Sequence, residues 1–432
     1  VVAVKGEFTV SAAVRRQDLT LPSVNPVYQP IVDLMSGDVV AFEALARGPA
    51  GSPLESPVAL FAHARTLGLE QQLDLECQAL AMRGALRRRL PAAIPLFVNA
   101  EPNWLHVPWP HHLTMILEQA RDRLQIVVEI TERALVADPA NLLGAVERIR
   151  DAGWGIALDD VGADPASLAL MPFIEPDVIK LDLRLIQERT NTEIAGIVNA
   201  VIAQAERTGA LILAEGIETE EHRARAVAMG ATLGQGWLLG RPAALPDQLP
   251  APPLRPPGRE LTFTRPHPDT PTTPFDLARE ALETRPAAKR LLLPMSLHLE
   301  RHALRTSEAP VLLAAFQNAG HFTPATLARY ESLAAHCSLI GVMGHAMKAL
   351  PATGVRGASL NADDPLCGEW TVCVVGPHFS GALIATDLGD TGPDAERRFA
   401  FAMTYNRALV LGAARSLLHR ISGPDAESAR QS

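Results

Sequence analysis

From Pro95 to Gln235 the chain repeats one pattern: a short apolar run that stops at a polar side chain, followed by a helix-like segment. Pro95-Leu-Phe-Val ends at Asn99, Ile126-Val-Val at Glu129, Ile156-Ala-Leu at Asp159-Asp160, Val178-Ile at Lys180, Leu211-Ile-Leu-Ala at Glu215 and Leu233-Gly at Gln235. Helical segments are expected at about 111–122, 139–151, 164–170, 191–208 and 219–229. Upstream, Tyr28–Asp33 and Val39–Glu43 flank the turn Ser36-Gly37-Asp38 and read as a hairpin, with helices over Ala59–Leu67 and Leu69–Leu90. Strand–helix alternation over about 220 residues predicts parallel strands with helical crossovers. The span suffices for a closed α/β barrel, which needs roughly 200 residues or more. The polar ends would then share one mouth. Turn chemistry accounts for an Asp or Asn at a strand end, but not for Glu129, Lys180, Glu215 and Gln235.

Gly155–Asp160 is the sharpest of these runs. Its two adjacent carboxylates repel each other, and a divalent cation between them relieves that. In a regular strand they point to opposite faces, so both reach one site only where the strand stops. Apart from Lys180, the polar ends are carboxylates and amides, hard oxygen donors with no His among them, which suits Mg²⁺ or Mn²⁺ rather than zinc.

The formal net charge of −9 argues against a duplex-DNA footprint or an anionic membrane surface as partner. The four cysteines, Cys77, Cys337, Cys367 and Cys373, are scattered, so neither a disulfide framework nor a zinc site is implied. Arg15, Arg16 and Asp18 interrupt any signal-peptide core, and the uncharged stretch Trp370–Thr386 contains Pro377, His378, Ser380 and Gly381, so it reads as two buried strands joined by a turn. The expectation is a soluble, cytoplasmic protein.

Residues 1–24 carry no pattern and form an N-terminal segment ahead of a barrel at 25–243. Pro242–Pro274 holds 11 prolines in 33 residues and no apolar period, so 244–274 reads as a semi-rigid linker. A second domain follows at 275–422, ahead of a tail at 423–432. Its expected strands are Ala309–Phe316, Leu339–Met343, Trp370–Val375 and Ala382–Asp387, and its expected helices about 276–301, 323–336 and 394–420. The mixture implies a smaller α/β or α+β domain.

Eight blocks occur in order in the first domain: Tyr28-Gln-Pro-Ile-Val-Asp-Leu, Glu43-Ala-Leu-Ala-Arg47, Val98-Asn99, Glu129-Ile-Thr-Glu132, Asp159-Asp160, Lys180-Leu-Asp182, Ala214-Glu215-Gly-Ile-Glu218 and Gln235-Gly-Trp-Leu-Leu-Gly-Arg-Pro242. They resemble the EAL family of cyclic di-GMP phosphodiesterases. The resemblance implies a TIM-like (β/α)8 barrel with an antiparallel first strand, hydrolysis of cyclic di-GMP to linear pGpG, and two Mg²⁺ or Mn²⁺ ions. It implies that Glu43, Asn99, Glu129 and Asp159 hold one ion, and that Asp159 bridges to a second with Asp160 and Glu215 beside it. Lys180 and Gln235 would orient the attacking water. Glu132 and Glu218 would be supporting carboxylates. Gln29, Arg47 and Asp182 would lie against the substrate, Arg47 on a phosphate.

The chain departs from the family after Asp160, where Val161-Gly162-Ala163-Asp164 replaces the usual Phe-Gly-Thr-Gly. It has Glu101 where a Ser is common two places after Asn99, and Gly48 where an aromatic often follows Arg47. The altered loop often carries dimer contacts in the family, so a homodimer is among the partners to test. These departures keep a second reading open, a degenerate receptor that holds cyclic di-GMP without cutting it. A scaffold with no nucleotide role is a third.

In the second domain, Phe316-Gln, Phe322-Thr-Pro, Asp363-Asp-Pro-Leu-Cys-Gly-Glu-Trp370, Val375-Gly-Pro-His-Phe379, Asp387-Leu-Gly-Asp390 and Arg397-Arg-Phe399 resemble the DICT sensory module. That implies a sensor whose ligand or protein partner the resemblance does not supply. His378 and Trp370 are candidate pocket residues. Cys367 and Cys373 read as inert buried thiols rather than redox groups.

Overall fold

The computed structural model describes residues 22–101, 110–131, 138–163, 168–249, 273–306 and 309–421. Eight strands close a barrel in sequence order: β1 (Asn25–Asp33), β2 (Val39–Arg47), β3 (Leu96–Asn99), β4 (Ile126–Thr131), β5 (Gly155–Val161), β6 (Val178–Leu181), β7 (Leu211–Ala214) and β8 (Leu233–Gly234). β1 runs antiparallel to both neighbours, while β2 to β8 are parallel. The first reversal follows from local chemistry. Asp33 Oδ1 accepts from the backbone N–H groups of Met35 and Ser36, and Gly37 takes a φ of 79° that a side chain would resist.

The crossover helices are α1 (Pro57–Leu67), α2 (Glu70–Arg87), α3 (His111–Arg123), α4 (Pro139–Asp151), the short α5 (Met171–Ile174) and α6 (Leu183–Gln187), α7 (Thr192–Thr208) and α8 (Glu220–Ala228). Five of them start at side-chain caps, from Ser56, Asp138, Asp182, Asn191 and Thr219. The helix expected at 164–170 falls partly outside the described residues. Beyond them the helical turn sits later, at Met171–Ile174, where Pro172 is tolerated in the first turn.

Inside the barrel, one apolar layer is built from Ile31, Ala41, Phe97, Val127, Ala157, Val178, Leu213 and Leu233, together with Val40. Side chains on a strand repeat every second residue on one face. Two places after Ala41, Phe97, Val127, Ala157, Val178, Leu213 and Leu233 come Glu43, Asn99, Glu129, Asp159, Lys180, Glu215 and Gln235. The polar layer therefore lies directly above a dry plug, at the C-terminal ends of the parallel strands.

The second domain is a seven-stranded sheet with helices packed on it, in the order β12-β11-β10-β13-β14-β15-β9. Its strands are β9 (Arg285–Ala288), β10 (Val311–Asn318), β11 (Leu339–His345), β12 (Arg356–Leu360), β13 (Glu369–Val375), β14 (Ser380–Asp387) and β15 (Arg398–Thr404). Its helices are α9 (Pro274–Ala281), α10 (Lys289–Ala303), α11 (Pro324–Ala334) and α12 (Arg407–Leu418). Two expected helices are corrected. The stretch 276–301 is split by β9, because Pro286 cannot continue a helix and suits an edge strand. The stretch 394–420 begins with β15, whose Phe399, Ala402 and Thr404 are buried among less buried neighbours, before α12 starts at the Asn406 cap. β12 was not expected from the sequence.

The proline-rich linker lies mostly outside the described residues. On its far side α12 packs on the barrel. Arg415 Nη2 donates to the carbonyls of Pro172 and Phe173 at 3.3 and 3.2 Å and pairs with Glu175 at 3.0 Å. His419 Nε2 lies 3.3 Å from Glu147 Oε1, and Arg207 donates to Pro377 O at 2.9 Å. Leu142, Leu143, Phe173 and Ile174 of the barrel share one apolar cluster with Ala413, Leu417 and Ile421. Among the described residues, no helix is long and apolar enough to cross a membrane.

Candidate active site

The barrel mouth opens into a cleft of about 660 Å³, within the range of small-molecule sites. Glu43, Asn99, Glu129, Asp159, Lys180, Glu215 and Gln235 line it, with Gln29 and Glu218 on the rim. Strands β2 to β8 thus each deliver one side chain, directly or at the residue that follows. Asp160 joins them by a local distortion. β5 changes register against β6 between Leu158 and Val161, and Asp160 adopts a φ of 57°. A bulge re-aims side chains that would otherwise alternate. Carboxylate oxygens of Asp159, Asp160 and Glu215 consequently lie within 4.8 Å of one another.

Lys180 stands at the centre. Its Nζ is 2.7 Å from Glu129, 2.8 Å from Glu215, 2.9 Å from Asp159 and 3.6 Å from Glu43. Burial alone would drive the ammonium toward neutrality, but the surrounding carboxylates outweigh it and hold its pKa well above the usual lysine value. Burial pushes Glu215 up to about 7 against the pull of Lys180. Glu129 is also raised, first by burial and then by the Glu43 charge.

One ammonium does not satisfy this set. Both oxygens of Glu129, Asp159 Oδ1 and Gln235 Oε1 are buried without a hydrogen-bond partner. Lys180 Nζ faces Glu129 Oε1 and Asp159 Oδ1 as their one charge partner, while Glu129 Oε2 and Gln235 Oε1 have none. Orphaned buried oxygens are costly, and a hard divalent cation is what such a donor set fits. Gln235 donates from Nε2 to Glu43 Oε2 at 2.6 Å, and Asn99 donates to Glu43 Oε1 at 3.3 Å. Because a carboxylate only accepts, these bonds fix Gln235 with Oε1 as its remaining acceptor.

The other expected residues divide. Glu132 lies outside the described residues. Gln29 is on the rim, its Nε2 bonded to Gly240 O at 3.0 Å. Arg47 and Asp182 are not among the residues lining the cleft. Arg47 donates to the carbonyl of Ala46, and Asp182 caps α6 through Arg184 N while pairing with its guanidinium at 3.1 Å. At Gly48, a Cβ would meet Leu54 O at 2.0 Å, so the close turn back to Glu55 leaves no room for an aromatic. The structure adds Asp74 and Gln78 of α2 and Trp237 to the lining. Asp74 accepts from Gln78 at 2.8 Å and from Glu101 N at 3.4 Å, and burial raises its pKa to about 8. Sequence reasoning missed Asp74 and Gln78, and a polar pair four apart on the otherwise apolar face of α2 is the signal that would have found them. Trp237 is 56% exposed, with Arg241 stacked 4.3 Å from its ring.

A closed barrel with an acidic, lysine-centred mouth above an apolar plug defines the class as an α/β barrel with a candidate metal site at the C-terminal ends of its strands. Residues 12–242 match the family model described as EAL domain, and residues 276–388 match the one described as sensory domain in diguanylate cyclases and two-component systems. The chain belongs to the EAL-domain family and carries a DICT domain after the barrel. It is 31% identical over 259 residues to the cyclic di-GMP phosphodiesterase RocR of Pseudomonas aeruginosa, covering 54% of this chain and 65% of that protein. It is 31% identical to the probable cyclic di-GMP phosphodiesterase PdeB of Escherichia coli, covering 51% of this chain and 42% of that one. The chain thus spans less than two-thirds of the length of these relatives. The structure of Klebsiella pneumoniae BlrP1 in its calcium and cyclic-di-GMP complex is 31% identical, with a TM-score of 0.45 over 51% of this chain and 56% of that one.

Proposed function

We propose that this chain is a metal-dependent phosphodiesterase that opens cyclic di-GMP to linear pGpG, with its rate set by the C-terminal domain. The observation that carries the reading is the set of orphaned, buried oxygens around Lys180 at the floor of the cleft. The names of the curated relatives supply the substrate class. Glu43, Asn99, Glu129 and Asp159 are the residues for one Mg²⁺ or Mn²⁺, and Asp159, Asp160 and Glu215 for a second. When bound, such ions activate a water and offset charge on the leaving oxygen of an in-line displacement.

The chain's own residues do the rest. Lys180 stays protonated and places a fixed charge where negative charge develops on the phosphoryl group. Gln235, pinned by Glu43, presents Oε1 as an acceptor that orients the attacking water. Trp237 offers an exposed ring on which a purine can stack. The dry plug beneath closes the floor to bulk solvent, which strengthens each of these interactions.

The test is incubation of the whole chain with cyclic di-GMP and Mg²⁺ or Mn²⁺, followed by chromatography. Accumulation of pGpG, abolished by chelator, is the expected outcome. Val161-Gly162-Ala163 after the paired aspartates favours the receptor as second reading, and tight binding with no product would select it. Absence of any binding would remove both.

A further inference from the structure

We propose that the C-terminal domain binds a small, single-ring aromatic carboxylate in a cavity between α10, α11 and the sheet. The cavity measures about 80 Å³ and is open at one end. Its walls are aromatic: Phe316 from β10, Trp370 from β13 and Phe399 from β15, with Trp370 and Phe399 edge to face at 5.8 Å. A fully enclosed cavity of about 150 Å³ takes benzene whole. At about half that volume and open at one end, the cavity admits the edge of a single ring, with the rest of the ligand and its polar group at the rim, and excludes a nucleotide.

Two features show that the polar side of this cavity is arranged rather than incidental. The first is a bulge. β10 shifts register between Ala315 and Asn318, and Gln317 adopts a φ of 60°, a conformation costly for a side chain of this kind. Neighbours on a regular strand face opposite ways, yet Phe316 and Gln317 both line the cavity. The second is the setting of Arg329. Glu300 is only 2% exposed and takes Arg329 Nε at 2.6 Å and the Tyr330 hydroxyl at 3.1 Å. The guanidinium is thereby held at the cavity wall, while its two Nη groups make no hydrogen bond to the described residues. His321 is tied through Nδ1 to Phe316 O at 2.9 Å, which leaves Nε2 for a ligand.

Lys289 and Arg329 are positive and Glu300 is negative among the lining residues. The nearby Asp387 and Asp394 are paired with Arg397 and Lys289. These pairs leave no net charge, but Arg329 meets Glu300 through Nε alone, and its Nη edge beside aromatic walls suits an acid whose ring edge enters the cavity and whose carboxylate meets that edge. The inference does not depend on the barrel's chemistry, because its readout is binding.

The experiment titrates the full chain with benzoate, 4-hydroxybenzoate, benzyl alcohol and cyclohexanecarboxylate by calorimetry. The expected result is saturable binding of at least one aromatic acid, at least tenfold tighter than the alcohol and the non-aromatic acid. The paired variant Glu300→Gln with Arg329→Gln, which strands no buried charge, should keep its melting temperature within a few degrees and lose at least tenfold in acid affinity. Trp370→Leu serves as the second variant and should weaken the acid with the charges intact. Failure of both aromatic acids to bind, equal binding of acid and alcohol, or unchanged affinity in both variants overturns the proposal.

Discussion

Lys180 shows how a single residue makes an otherwise untenable site foldable. Four carboxylates, from Glu43, Glu129, Asp159 and Glu215, surround one ammonium, with the exposed Asp160 beside Asp159 and Glu215. Without metal the cluster carries excess negative charge in a buried place, which is a stability cost accepted for function. Asp159→Asn should therefore reduce phosphodiesterase turnover at least 100-fold while raising metal-free stability by about 1 kcal/mol, since it removes one repelling charge. Thermal melts in EDTA and in Mn²⁺ test this. Wild type should gain about 2.7 kcal/mol at a metal concentration 100 times its Kd, and the variant should not. A variant that melts several degrees lower in EDTA would make Asp159 a structural residue. The polar strand ends were legible because each short apolar run stops at a side chain, such as Glu129, Lys180 or Gln235, that turn chemistry does not call for. Asp159 and Asp160 were expected to converge where the strand stops, and they do, but the register shift in β5 that brings them together has no mark in the sequence. Nor could motif order reveal that the long side chain of Arg47 folds onto its own strand, or that Asp74 is turned inward from a helix.

At the scale of elements, the start of β13 and the start of α9 are tied by one buried acid. Glu369 Oε2 accepts from Phe275 N at 3.1 Å, just after the Thr273 cap. Burial raises its pKa to about 7, partly offset by hydrogen bonds from Thr273 and Phe275. A carboxyl with a raised native pKa binds its proton more tightly when folded. Its contribution to stability is thus full below the unfolded value of about 4.3 and is lost as pH rises toward 7. The shift corresponds to about 3 kcal/mol between pH 4.5 and 8. Denaturant titrations across that range should show this decline in the C-terminal domain, and Glu369→Gln, which keeps an acceptor for Phe275, should flatten it. An identical pH slope in the variant would assign the titration elsewhere. This part of the fold was read less well from the sequence than the barrel. β9 is four residues long with Pro286 inside it, and helical composition on both sides hides it. β15, Arg-Phe-Ala-Phe-Ala-Met-Thr, has alternation that the following helical run obscures. Barrel strands announce themselves by ending in chemistry, whereas these two strands of the second sheet have no such mark.

At the scale of the molecule, the two domains meet on the outer helices of the barrel, away from the residues that line the cleft. Arg415 of α12 grips the carbonyls of Pro172 and Phe173 and the carboxylate of Glu175. That short helix lies between β5, which carries Asp159 and Asp160, and β6, which carries Lys180. A shift of α12 against the sensor sheet therefore acts on the connection between the two strands most central to the cage. Trp370 and Phe399 lie on one face of that sheet, in a cluster separate from the one that α12 shares with the barrel. A ligand on the first face reaches α12 through strands it shares with the second. Arg415→Ala should leave the barrel folded, because Glu175 is part-exposed and rehydrates when its partner is lost, at a cost of about 1–2 kcal/mol. It should change the turnover of cyclic di-GMP by at least threefold and speed amide exchange across residues 168–181. Arg305→Ala, on the exposed surface of the sensor domain, is the control and should change neither. If exchange quickens with no change in turnover, the contact is a structural junction without a regulatory role. If neither moves, the domains are held by apolar packing alone and Arg415 is dispensable to both.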